Sequence, residues 1–130
     1  MTITMSLEVE VGICFEEIVS VLSKMGAEYE IEDGCLIGNF KSSNIYFVFR
    51  CFGAPEDVAA EGADVSWRAG LSGAFHCPIS YLLESSADIK SFLTILSAET
   101  NFRFALSFQY EVLYAIRDKS GVRFLKSMVG

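Results

Sequence analysis

A single histidine, His76, stands beside Cys77, and an imidazole next to a thiol is the simplest nucleophile–base pair a chain can build. Neighbouring residues on a strand point to opposite faces, however, so an extended backbone here would hold the two apart. Cys14, Cys35, Cys51 and Cys77 form no CxxC pair, and without one a turn does not present two thiolates to a zinc ion. Cys35 and Cys51 lie in apolar runs, where a free thiol behaves as a small hydrophobe. Reduced thiols and no metal centre are expected. A phosphate cradle needs glycines opening a helix, yet the chain has no GxxxxGK[ST] and no GxGxxG. GxSxG, HExxH and the calcium-loop pattern are absent as well. The sequence therefore nominates no catalytic residue and no cofactor. A small-ligand binder or enzyme built around His76, Cys77 and Arg68 is the alternative.

Carboxylates are the larger resource. The 130 residues include 17 Asp and Glu against 10 Lys and Arg, for a net charge of -7. This excess argues against naked nucleic acid as a partner, since phosphates demand a concentrated positive field. The acids are unevenly spread. Residues 1–64 hold 12 of them against 3 bases, and residues 65–130 hold 5 against 7. Glu16 and Glu17 suit a first helical turn, where negative charge favours the dipole. Two other groups look exposed: Glu28, Glu30, Glu32 and Asp33, and then Glu56, Asp57, Glu61 and Asp64. A row of like charges either keeps an edge strand soluble or steers a basic partner. Tyr29, Tyr46, Trp67, Tyr81, Tyr110 and Tyr114 are amphipathic aromatics suited to an interface. Trp67 with Arg68 is the expected anchor pair.

The elements that must position these residues follow from periodicity. Ile3 to Val11 alternate apolar and polar, as a half-buried strand does. Phe15, Ile18, Val19, Leu22 and Met25 recur at helical spacing, and Gly26 closes that helix. Ala27 to Phe40 reads as a hairpin about Asp33-Gly34, a type I′ turn. Ile45 to Phe52 is nearly all apolar, which predicts a central strand covered on both faces. Gly53 to Asp64 is small, acidic and punctuated by Gly and Pro, so an exposed loop is expected. Val65 to Phe75 is a strand in which Gly70 and Gly73 announce a bulge or a close backbone approach. Ile89, Phe92, Leu93 and Leu96 mark the second helix, with Ser85 and Asp88 resembling a capping box. Phe102 to Arg117 alternates throughout, as one long strand or two joined at a bend. Asp118 to Gly121 turns, and Val122 to Met128 is a final strand or short helix.

The order β-α-β-β-β-β-α-β-β specifies one α+β domain over residues 1–130: a mostly antiparallel sheet of about six to seven strands with two helices on one face, a two-layer sandwich. The start MTITMSLEVEVG has no basic leader, and no apolar run reaches the ~18 residues of a membrane span. A cytoplasmic protein without membrane contact is the expectation.

A compact acidic domain with rows at Glu28/Glu30/Glu32/Asp33 and Glu56/Asp57/Glu61/Asp64, and no catalytic motif, resembles the small acidic immunity proteins that bacteria pair with secreted toxins. The resemblance implies a non-enzymatic protein that binds a cognate, basic, nuclease-type toxin and occludes its active site, with carboxylates standing in for substrate phosphates. Acidic chaperones of secreted effectors, which act as homodimers, are a second likeness, although this chain opens on a strand rather than a helix.

Overall fold

The computed structural model describes residues 1–129. Eight strands form one antiparallel sheet: β1 (Thr2–Glu10), β2 (Glu28–Glu32), β3 (Cys35–Asn39), β4 (Tyr46–Asp57), β5 (Arg68–Pro78), β6 (Phe104–Phe108), β7 (Val112–Asp118) and β8 (Gly121–Phe124). Their spatial order is β2-β3-β4-β5-β1-β6-β7-β8. Helix α1 (Phe15–Lys24) follows β1, and α2 (Leu82–Glu99) follows β5 through one 3-10 turn at Ile79–Tyr81. The protein is thus a two-layer α+β sandwich with one or two strands more than the sequence implies, because Phe102 to Arg117 is a hairpin followed by a further strand.

Both helices pack on one sheet face. Ile18, Val21 and Leu22 of α1 and Ile89, Phe92, Leu93 and Leu96 of α2 meet Met5, Leu7, Val9, Phe47, Phe49, Leu71 and Phe75. The Phe92 ring lies 5.5 Å from both Phe49 and Phe75, in offset and edge-on arrangements favoured by the ring quadrupole. Ser85 lies inside α2 and is buried, so it does not cap the helix. Asp88 instead accepts the backbone N–H of Ser43 at 3.2 Å.

The two strands that the sequence ranks by burial exchange places. β4 is open on one face, with Tyr46 41 % exposed and Arg50 exposed. β1, expected to be half-buried, lies between β5 and β6 and is covered on both faces, with Ser6 and Glu8 buried. The cover on its second face is a strap, residues 58–66. Glu8 fixes it: one carboxylate oxygen accepts the Ala59 N–H at 2.7 Å and the other the Ala60 N–H at 3.0 Å. Further along, the Glu61 N–H donates to the Tyr110 carbonyl at 2.7 Å. Beneath the strap Trp67, Ala69 and Ala105 form a second small core with Phe52, Val58, Val65 and Leu113.

Bulges make that second core possible. Val9 pairs with Leu71 but Glu10 pairs with Ala69, so Gly70 is the extra residue and the faces invert across it. A Cβ on Gly70 would stand 2.7 Å from Val11 Cα. The matching irregularity in β4 lies between Cys51 and Glu56, so Glu56 and Asp57 end a strand rather than sit in a loop.

Candidate functional site

On the helix-free face, register lines up Glu28, Asn39, Tyr46, His76 and Thr4 as cross-strand neighbours from β2 to β1. The hairpin that carries the acidic end of this line is set by Asp33 and Gly34, both at positive φ (52° and 78°), with Glu32 opposite Cys35. That two-residue turn fixes Glu28, Glu30 and Glu32 on the helix-free face and turns Tyr29 to the helix side, where its hydroxyl is 3.3 Å from Ser23 Oγ. Gly38 lets the hairpin close: a Cβ there would collide with the Glu28 carbonyl oxygen and come within 2.8 Å of the Phe47 ring.

The result is an open depression of about 340 Å³ walled by Glu28 and Glu30 and lined by Ile37, Asn39 and Tyr46. Two carboxylates, a side-chain amide and an aromatic wall suit a cationic side chain that packs its stem on Ile37 and its head against Glu and Tyr. Glu32 lies outside it, at the level of Cys35 and Arg50, so the negative potential is least opposed at Glu28 and Glu30. Beside the depression, Tyr46 stacks on His76 with centroids 5.9 Å apart, and His76 Nδ1 is 3.0 Å from Thr4 Oγ1.

The other sequence-nominated residues separate into groups. Six ladder steps of β4 separate the level of Glu28 from that of Glu56, a run of about 20 Å at ~3.3 Å per residue. Glu28 and Glu30 therefore stand apart from the second group, whereas Glu32, level with Arg50, is two ladder steps from Glu56. Glu61 and Asp64 are exposed on the strap. Asp57 pairs with Arg68 at 3.3 Å, both side chains largely in water, so Arg68 is held to its own chain. Trp67 is 7 % exposed beneath the strap and is a core residue, not a surface anchor. Other acids of the first half also serve the fold. Glu10 takes two hydrogen bonds from the Arg103 guanidinium, at 3.1 and 2.6 Å, and these hold its carboxyl below the usual range. Glu17 accepts the Cys14 N–H at 3.1 Å, closing the start of α1.

Cys77 faces the helix-side core while His76 faces the opposite surface, so no thiol–imidazole pair forms between them. Burial pushes the Cys77 thiol up to about 11, a poor nucleophile at neutral pH. Among the described residues no three His, Cys, Asp or Glu side chains are placed to share a metal ion. No helix among them is long and apolar enough to cross a membrane.

Sequence reasoning named Glu28, Glu30 and Tyr46 but not Ile37 or Asn39. The missing signal was available in principle: counting outward from the Asp33-Gly34 turn pairs Glu28 with Asn39 and Glu30 with Ile37. No protein-family model, curated protein or solved structure matches the chain. What the geometry defines is a two-layer α+β domain with an acidic, aromatic-lined depression at the β2 edge.

Proposed function

We propose that this is a non-enzymatic binding protein of the immunity type, whose partner is a basic protein toxin. Its mechanism is occlusion. Glu28 and Glu30 receive a Lys or Arg that the partner uses on its own anionic substrate, and the exposed acids at Glu32, Asp33, Glu56, Glu61 and Asp64 steer the encounter. The observation that carries the reading is the depression itself, in which two exposed carboxylates flank an exposed tyrosine with no cation of the chain ion-paired to them among the described residues. Trp67 has no part in docking. Tyr46, 41 % exposed, takes the anchor role instead.

The test is co-purification from the native host, comparing the wild-type chain with Glu28→Lys/Glu30→Lys. The partner should be retained by the first and lost by the second. With the partner in hand, association should slow steeply from about 10 mM to about 1 M salt, as the screening length falls from roughly 30 Å to about 3 Å. Equal retention by both proteins, or a salt-independent association rate, would overturn the proposal.

A further inference from the structure

A second site lies on the opposite side of the sheet, between α2, β7, β8 and the segment that follows β8. The segment after β8 folds back there, its Leu125 and Lys126 N–H groups donating to the Tyr114 carbonyl at 2.8 and 3.2 Å. It leaves two cavities, of about 130 and 160 Å³. Tyr114 and Met128 line both and form the partition between them. The first is floored by Ile89, Leu106 and Ala115. The second is lined by Ile3, Met5, Leu82 and Phe108 and has no charged side chain.

The mouth of the first cavity has the opposite character. Lys90 and Lys126 both line it, with Ser86 beside them. Both lysines are exposed, and neither ion-pairs with a carboxylate among the described residues. Lys90 Nζ hangs 5.2 Å over the Phe124 ring. In a chain of net charge -7, two unpaired cations converging on an apolar hole are a local reversal of sign. Apolar walls fix what enters, and the cations at the mouth fix which end stays outside.

We propose that this groove binds an aliphatic carboxylate, with its head between Lys90 and Lys126 and its chain running past Met128. An apolar space of roughly 150 Å³ takes a six-carbon ring, so each of these half-open compartments accommodates about six carbons. A chain of about twelve fills both once the flexible Met128 thioether swings aside. Nothing in this site overlaps the acidic depression, so the two readings stand or fall separately.

The experiment is calorimetric titration of the whole protein with the sodium alkanoates from hexanoate to hexadecanoate, each below its micellar concentration. Affinity should rise about fourfold per added methylene up to about twelve carbons and then level off. Lys90→Met/Lys126→Met changes only exposed side chains and should weaken dodecanoate at least tenfold while leaving dodecanol unchanged. Met128→Trp, which closes the passage, should end the gain at about six carbons. Absence of saturable binding, equal affinity for dodecyltrimethylammonium, or indifference to the lysine substitutions would overturn the assignment.

Discussion

Removing the Glu8 carboxylate tests whether the strap over β1 is held by one side chain. Glu8 is 4 % exposed, and its two oxygens accept the N–H groups of Ala59 and Ala60. Hydrogen bonds to a charged group contribute about 1.5–3 kcal/mol each. Glu8→Ala removes both. Ala59 is exposed and regains water, whereas Ala60 is 5 % exposed and is left without a partner as long as the strap stays shut. The strap should therefore open more easily by about 3 kcal/mol, roughly a hundredfold in the opening constant. Amide exchange reads this directly: protection at Ala60 and Glu61 should fall by about that factor, while amides of α1 and α2 keep theirs. Trp67 is the only tryptophan and lies under the strap, so its emission should shift red at urea concentrations below the main transition. Glu8→Gln retains one acceptor and should fall about midway. Unchanged exchange at Ala60, or a loss spread evenly through the helix-side core, would refute the claim that Glu8 is the latch.

Three other substitutions or titrations probe the remaining elements. Gly38→Ala forces a Cβ against the Glu28 carbonyl and the Phe47 ring. It should cost about 1–3 kcal/mol in urea melts and release β2 first, seen as lost protection at β2 and β3 amides. Because the Arg103 hydrogen bonds depress the Glu10 carboxyl, that pair stabilises the fold above the ordinary carboxylate range and ceases to as pH falls through the depressed value. Arg103→Gln should accordingly lower the melting temperature at pH 7 and converge with wild type near pH 2. Thiol labelling followed by mass spectrometry should modify the exposed Cys14 and Cys51 first and Cys35 more slowly. Cys77, buried and raised to about 11, should react only on unfolding.

Where burial had a clear period, the sequence located the elements well. Helix α1 ends at Lys24, capped by Met25 with Gly26 following at φ 69°, as the apolar spacing and the glycine require. The Asp33-Gly34 turn was legible because both residues tolerate the positive φ they adopt, and the bulge at Gly70 because a Cβ there would meet the Val11 backbone. The β6–β7 hairpin was not. It turns through Gln109 and Tyr110, both at positive φ (50° and 65°), and neither residue type announces such a turn. The burial of Glu8 and Trp67 was hidden as well. Both depend on a strap that crosses the sheet to meet Tyr110, a contact with no local signature. An apolar run such as Ile45 to Phe52 also misleads, because Tyr46, Val48 and Arg50 face the surface in alternation with buried Phe47 and Phe49.

The net charge of -7 overstates the acidic surface left free for the proposed docking, because part of it serves the fold. Glu8, Glu10 and Glu17 are committed to the strap, to Arg103 and to the start of α1, and Asp57 to Arg68. What is left on β2 has a double consequence. β2 is a sheet edge with every residue exposed, Ile31 among them at 63 %, and such an edge invites pairing with another strand. Glu28, Glu30 and Glu32 repel a second copy of the same edge, since like charges would then stand across the new ladder. They do not repel a cationic surface. Under the proposed function, one row of carboxylates would close the edge to self-association and leave it open to a basic partner. Reversing that row should break both behaviours together: Glu28→Lys/Glu30→Lys should lose the partner, and mixed with wild type it should pair edge to edge, detectable as a heterodimer in sedimentation that disappears in high salt.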